Sequence, residues 1–131
     1  MSAHMQDMRT PLRRVTHLGS AHAGTRHFWH QRLTSVAGIF LTVAFIVIVV
    51  AVMGRNHAAT VQILGSPIVA VIMLLFVLNM TYHMWLGMQV IVEDYIHHEL
   101  GKILLLMANT FFCITIGLAS AYALLKLSFG V

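Results

Sequence analysis

The sequence predicts an all-α membrane protein with three transmembrane helices. Of the 131 residues, 59% are hydrophobic and 9% are charged, whereas an ordinary soluble domain has about 25% charged residues. Three long apolar stretches follow a basic N-terminal segment, and each is long enough to cross a hydrocarbon core of about 30 Å as a helix. The remaining segments are too short to bury a core of their own. We therefore predict a single membrane domain over residues 1–131.

Residues 1–32 form a polar, basic segment ahead of the first span. Its basic residues are Arg9, Arg13, Arg14, Arg26 and Arg32. Phe28 and Trp29 fit the aromatic belt that flanks spans at the membrane surface. We expect residues 1–20 to be flexible and residues 21–32 to form an interfacial helix. No recognisable nucleic-acid-binding motif is present, so the charge indicates topology and contact with lipid headgroups, with no nucleic-acid partner.

The first span is predicted at residues 33–54, where no residue is charged. Its first half carries small residues, namely Thr34, Ser35, Gly38 and Thr42. Small residues let helices pack closely in lipid, so this part of the helix is expected to contact another helix. Residues 55–65 are interpreted as a short connection to the second span.

The second span is predicted at residues 67–92, because Ser66 suits an N-cap and Pro67 suits the first helical position. The third span is predicted at residues 103–125 and is followed by Lys126. Lys and Arg are more frequent in the N-terminal segment and in the loop at residues 93–102 than in the loop at residues 55–65 and at the C-terminal end. The positive-inside rule then predicts a cytoplasmic N-terminus and a periplasmic C-terminus in the cell inner membrane.

One ionisable side chain, His83, lies deep within the predicted second span. Such groups are costly in a bilayer and rarely face lipid. His83 can therefore bond a neighbouring helix, or it can ligate a haem iron, for which histidine is a usual axial ligand. Gly87 follows one turn later on the same helix face. It favours the haem interpretation, because a flat macrocycle can approach a backbone that carries no side chain.

The chain has no second histidine at the depth of His83. His57 lies about 39 Å earlier even along a continuous helix, and His97 and His98 are expected at the cytoplasmic surface. A haem with two histidine ligands therefore needs its second ligand from a different chain or from a second copy of this one. The spacing predicts a partner subunit.

Three further polar residues lie at the cytoplasmic ends of the predicted spans. Arg32 can pair with negatively charged haem propionates or with lipid phosphate, and the sequence leaves both open. Asp94 and Tyr95 end the second span about three turns beyond His83. Tyr95 can anchor the helix at the interface, or it can donate a hydrogen bond to a quinone carbonyl oxygen beside Asp94.

Two motifs resemble a known family. The second-span residues His83, Trp85, Gly87, Met88, Asp94 and Tyr95 resemble the smaller of the two hydrophobic membrane-anchor subunits of succinate dehydrogenase (respiratory complex II). Residues 24–34, which read Gly-Thr-x-His-Phe-Trp-x-Gln-Arg-Leu-Thr, are similar to the first-span entry of its alphaproteobacterial and mitochondrial-type branch. The sibling anchor of the same enzyme matches less well, because Gln89 stands where its motif has an arginine.

The resemblance implies three helices packed against a second membrane-anchor subunit, the sibling anchor, with haem b between the two. It implies that His83 is one axial ligand, that the sibling anchor supplies the other, and that Arg32 lies near the haem. It also implies that Tyr95 contacts ubiquinone with Asp94 adjacent. The iron–sulfur subunit and the flavoprotein subunit would dock on the cytoplasmic side. The chain would then belong to an oxidoreductase and contribute only to its quinone site.

Two other functions are compatible with the same residues. A small non-redox membrane scaffold or assembly protein would use His83 only for hydrogen bonds between helices. A homodimeric small cytochrome b would share one haem between two copies of His83. Haem content and the identity of the co-purifying chains separate these alternatives.

Overall fold

The computed structural model describes residues 23–130 and contains four helices in that range. In chain order they are α1 (Ala23–Val52), α2 (His57–Gly65), α3 (Pro67–Tyr95) and α4 (Glu99–Phe129). No strand occurs among the described residues. Helices α1, α3 and α4 are each long and apolar enough to cross a membrane. The predicted all-α class with three spans is confirmed, and the expected flexibility of residues 1–20 concerns a segment outside the described residues.

The long helices extend past the apolar stretches that mark them in the sequence. Helix α1 begins at Ala23, so the predicted interfacial helix and the first span form one continuous helix. Helix α3 continues to Tyr95, and α4 already begins at Glu99. Helical hydrogen bonds join residues four apart whether their side chains are apolar or polar. Polar turns therefore prolong each helix beyond its apolar part.

The starts of α3 and α4 are set by different contacts. Helix α3 begins at Pro67, as predicted, but the Ser66 side chain does not cap it. The Ser66 hydroxyl instead donates to the carbonyl oxygen of Ile63 at 2.8 Å. Helix α4 does have a side-chain cap, since His98 Nδ1 accepts a hydrogen bond from the Gly101 N–H at 3.3 Å. His98 thus has a structural role that its position in the sequence does not reveal.

A helix, α2, lies where only a short connection is predicted. Asn56 precedes it, and its side-chain oxygen accepts a hydrogen bond from the Ala59 N–H at 2.9 Å. This is an N-cap bond, which stabilises the first turn of a helix. Helix α2 packs mainly against α4. At Gly65 a Cβ would lie 2.8 Å from the Leu127 carbonyl oxygen, so the absence of a side chain permits this contact.

Helix α3 is the centre of the fold, because it packs against both α1 and α4. Helices α1 and α4 do not contact each other in the part of the chain that the structure describes. Between α1 and α3 the rings of Phe45 and Phe76 stack with centroids 4.4 Å apart. Between α3 and α4, Gly117 lies directly against Thr81. The three spans therefore form a single layer and not a closed bundle.

Few side chains are buried within this layer. The buried apolar residues are Ile48, Ala70, Leu86, Val92, Cys113 and Leu124. Many large apolar side chains on α1, α3 and α4 are exposed on the outside of the layer. Apolar surface of this extent is favourable only when it is removed from water. Both faces of the layer therefore need lipid or another apolar chain to cover them.

We predict that Gly117→Leu weakens the packing of α3 against α4. A Cβ at Gly117 would lie 3.3 Å from Thr81 Cγ2, so a leucine must displace its neighbours, at a cost of about 1–3 kcal/mol. The measurement is the thermal unfolding midpoint of the protein in a mild detergent. Ala119→Leu, at an exposed position of the same helix, is the matched control. Equal midpoints for the two variants would contradict the close approach of α3 and α4.

Candidate functional site

His83 lies on the side of α3 that faces α1. Its Nδ1 atom is 2.8 Å from the hydroxyl oxygen of Thr34 on α1, and the contact is half-buried. One turn earlier on α3, the Asn79 side-chain amide donates to the backbone carbonyl oxygen of the same Thr34 at 3.0 Å. Two polar residues of α3 are thus bound to one residue of α1. Asn79 faces protein, as expected of a polar group inside a span.

The hydrogen bond of His83 leaves its second ring nitrogen free for a ligand. Nδ1 is bonded to Thr34, and Nε2 bonds none of the described residues. Metal-ligating histidines commonly bond an acceptor through one ring nitrogen while the other nitrogen binds the metal. The surroundings of His83 therefore fit those of a ligand.

Few potential metal ligands accompany His83 among the described residues, and this limits the kind of metal site that His83 can join. Within residues 23–130 no group of three or more His, Cys, Asp or Glu side chains could hold a metal ion. A metal held by protein alone needs about four ligands. A haem iron needs fewer, because the macrocycle fills its equatorial positions and the protein supplies only axial ligands. Among the described residues, His83 therefore fits the axial position of a haem better than a site built entirely from side chains.

Gly87, one turn beyond His83, borders a nearly open space. A Cβ at this position would lie 3.6 Å from the side-chain nitrogen of Gln31 on α1, an ordinary contact, and no other side chain or neighbouring helix comes within 4 Å of it. The Gln31 side-chain oxygen is buried and lacks a hydrogen-bond partner among the described residues. The backbone of α3 is thus accessible beside Gly87, next to an unsatisfied polar atom.

A second polar cluster, formed by Tyr82, His30 and Trp85, lies beside His83. His30 Nδ1 is 2.7 Å from the Tyr82 hydroxyl, and the Tyr82 and Trp85 rings stack with centroids 5.7 Å apart. The Trp85 indole N–H donates to the Thr110 hydroxyl on α4 at 3.0 Å. The sequence interpretation missed these pairings. The feature of the sequence that hints at these pairings is that polar residues occur at similar depths in the three apolar stretches.

Two grooves in the layer share Tyr82 and Trp85. One lies between α3 and α4, has a volume of about 430 Å³ and is lined almost entirely by apolar atoms. The other lies between α1 and α3, has a volume of about 200 Å³ and also includes Arg26, His27 and Gln89. His83 lines neither of them. Neither groove therefore encloses His83 in the part of the chain that the structure describes.

Arg32 is on a different face of α1 from the residue that contacts His83. Its guanidinium carbon lies 4.6 Å from the centroid of the Phe28 ring, a cation–π contact. Arg32 precedes Thr34 by two positions, which corresponds to a rotation of about 200° around the helix. The structure brings Thr34, and not Arg32, to His83.

Asp94 and Tyr95 form the exposed end of α3. Tyr95 is 75% exposed, and neither side chain has a hydrogen-bond partner in the described part of the chain. Tyr95 lies about 18 Å from His83 along the helix axis. It is at the same end of the layer as the start of α1, because α1 and α3 run in opposite directions. Half-buried His83 and the exposed residues Asp94 and Tyr95 therefore lie at two different levels of α3.

Comparison with known proteins identifies relatives of the whole chain. Residues 6–118 match the model of a family described as succinate dehydrogenase/fumarate reductase transmembrane subunit. A succinate dehydrogenase hydrophobic membrane anchor subunit of Paracoccus denitrificans is 31% identical, over 92% of this chain and 93% of that protein. The protein of the same name from Rickettsia conorii is 30% identical, over 84% of this chain and 89% of the relative. No solved structure matches the chain.

We predict that the hydrogen bond between His30 and Tyr82 contributes about 0.5–1.5 kcal/mol to the stability of the α1–α3 contact. The test is a double-mutant cycle with Tyr82→Phe, His30→Ala and the double variant. The free energy of unfolding is measured for each by titration with a denaturing detergent. The double variant should lose less stability than the sum of the single variants. Purely additive losses would show that the two side chains do not interact.

Proposed function

Because this chain belongs to the family of succinate dehydrogenase/fumarate reductase transmembrane subunits, we propose that it is a membrane anchor of a succinate:quinone oxidoreductase that helps to bind haem b and ubiquinone. In this role it helps to pass electrons from an iron–sulfur subunit to the quinone. The observation that carries the proposal is His83, a histidine within a membrane span. Its Nδ1 is bonded to Thr34, and its Nε2 has no hydrogen-bond partner among the described residues.

His83 is the proposed axial ligand of the haem iron. A bound haem b supplies reversible one-electron transfer. His83 would bind the iron through Nε2. Gly87 has no side chain, so a macrocycle could approach the backbone of α3 there if the Gln31 amide, 3.6 Å from the position of a Cβ, moved aside. The sequence predicts no second histidine at this depth, and His30, which the structure brings beside His83, is already bonded to Tyr82 through Nδ1. The other ligand is therefore proposed to come from a second membrane-anchor subunit, the sibling anchor of the same enzyme.

Arg32 is proposed to contact a haem propionate. This contact requires a particular arrangement of the sibling anchor. The guanidinium lies on the face of α1 that turns away from α3. A propionate reaches it only if the sibling anchor holds the edge of the haem beside that face. Without such an arrangement Arg32 binds lipid phosphate, as long basic side chains do at membrane surfaces.

Tyr95 and Asp94 are proposed to form part of the ubiquinone site. The Tyr95 hydroxyl is exposed at the end of α3 and can donate a hydrogen bond to a quinone carbonyl oxygen. Asp94 precedes it and can orient donors or accept a proton. The remaining contacts of the quinone would come from other subunits, since this end of the layer is open.

The proposed partners follow from the open layer and the family. Both faces of the layer expose apolar side chains, which suits packing against the sibling anchor and lipid. The positive-inside rule supports a cytoplasmic N-terminus and a periplasmic C-terminus, and the inner membrane is proposed from the family. The iron–sulfur and flavoprotein subunits would then dock on the cytoplasmic side, beside Tyr95.

One observation also favours a second function. The bond between His83 and Thr34 is the contact that a non-redox membrane scaffold or assembly protein would use to hold two helices together. A scaffold requires no ligand at Nε2, and its purified form would contain no haem. The two functions therefore differ in the absorption spectrum of the complex.

We predict that His83→Ala removes haem from the complex while leaving most of the complex assembled. The iron would lose one of its two axial ligands, and the Soret band of the purified complex should fall to a small fraction of its original intensity. His57→Ala, an exposed histidine at the start of α2, is the matched control and should keep its haem. An unchanged Soret band in His83→Ala would show that His83 is not the ligand.

We predict that Tyr95→Phe slows quinone reduction but leaves succinate oxidation with an artificial acceptor at its normal rate. The loss of a single positioned hydrogen bond costs about 0.5–1.5 kcal/mol, which corresponds to a decrease of several-fold in kcat/KM for quinone. Tyr122→Phe, an exposed tyrosine of α4, is the control for loss of a hydroxyl. Equal quinone kinetics for both variants would exclude Tyr95 from the site.

A further inference from the structure

We propose that Thr34 is a positioning residue for the haem iron ligand, because it fixes which nitrogen of His83 is available and how the ring is turned. The proposal rests on the proposed function, in which His83 binds the iron. In the sequence Thr34 is a small residue of α1 and the last residue of the first-span motif, and neither feature assigns it a role. Its role follows from four contacts that converge on this one residue.

The Thr34 hydroxyl has one hydrogen and three neighbouring acceptor positions. Its oxygen lies 2.8 Å from the His30 carbonyl oxygen and 3.1 Å from the Gln31 carbonyl oxygen. It also lies 2.8 Å from Nδ1 of His83. A threonine in a helix commonly donates its hydrogen to the carbonyl four residues earlier. The contact with His83 is then made by a lone pair of the hydroxyl oxygen.

The direction of this hydrogen bond assigns the tautomer of His83, that is, which ring nitrogen carries the hydrogen. A neutral imidazole has one N–H donor and one acceptor nitrogen. Since the Thr34 oxygen accepts, Nδ1 carries the hydrogen and Nε2 carries the lone pair. An iron atom requires that lone pair. The hydroxyl of α1 therefore selects the form of His83 that can bind a metal through Nε2.

Asn79 keeps the Thr34 hydroxyl level with the His83 imidazole ring along the helix axis. Its side-chain amide donates to the Thr34 carbonyl oxygen at 3.0 Å, one helical turn from His83. Sliding α1 along α3, or rotating it, would break both this bond and the bond to His83. The two contacts together fix the position of Thr34 relative to the imidazole.

The Thr34 bond should also influence the electronic properties of the ligand. An acceptor bound to Nδ1–H increases the basicity of a ligating imidazole. A more basic ligand stabilises the oxidised iron and so lowers the midpoint potential of the haem. Removal of the hydroxyl should therefore raise the midpoint potential and weaken the hold on the haem, by about 10-fold or more in affinity.

The test compares Thr34→Val and Thr34→Ser in the purified complex. Valine keeps the branched shape but has no hydroxyl, whereas serine keeps the hydroxyl. The midpoint potential is measured by redox titration of the haem absorption, and haem retention by the rate of haem transfer to apomyoglobin. Thr115→Val is the control, because the Thr115 hydroxyl bonds only a carbonyl of its own helix among the described contacts. If Thr34→Val does not assemble, Thr34→Ala provides the same comparison.

The expected result is a higher midpoint potential and faster haem loss in Thr34→Val, with Thr34→Ser and Thr115→Val close to the original protein. An unchanged potential in Thr34→Val, or an equal shift in Thr34→Ser, would overturn the proposal. The His83→Ala variant separates the two levels of inference. If it keeps its haem, the proposed function fails and this inference fails with it. If it loses haem while Thr34→Val keeps the original potential, only the role of Thr34 is wrong.

Discussion

Polar groups within a membrane must find partners inside the protein, and this constraint determines how α3 is held. A polar group left unsatisfied in hydrocarbon costs several kcal/mol, which is more than the roughly 0.6–2 kcal/mol that a hydrogen bond between membrane helices contributes. Asn79 and His83 therefore bond Thr34 of α1, and Trp85 bonds Thr110 of α4. Each bond fixes the rotation of one helix relative to α3. The apolar side chains then fill the spaces that this arrangement leaves.

The same constraint explains why the fold is open. Helix α3 meets its polar requirements by bonding α1 on one side and α4 on the other, and those two helices do not touch in the described part of the chain. The resulting layer buries few residues. His83 lies on one helix of this layer and lines neither of the two grooves in it. An open layer of this kind is compatible with the proposal that another chain completes a site at His83.

The amino-acid pattern predicted the number of spans, the all-α class and the family, because long apolar stretches and the residues from His83 to Tyr95 are local signals. It also placed the start of α3 at Pro67. It did not predict α2, since Asn56 and a few small residues look like an ordinary connection until they are seen capping a helix.

The pairing of side chains across helices was harder to predict. In the sequence Thr34 is a small residue suited to helix packing and the end of the first-span motif, and Arg32 is the residue of α1 that the resemblance predicts near a haem. Which face of α1 meets α3 depends on the rotation of both helices, and a shift of two residues exchanges Thr34 for Arg32. Rotation is decided by tertiary contacts such as those of Asn79 and His83. Hydropathy alone does not contain this information.

We propose that this chain provides half of a haem site and that a different membrane protein of the same complex provides the other half. Purification of the intact complex through a tag on this chain, in a mild detergent, with subunit identification and haem quantification, tests this directly. We predict one haem for each copy of this chain, together with one different apolar chain and two soluble subunits. A preparation without haem, or one haem shared by two copies of this chain and no other membrane protein, would contradict it.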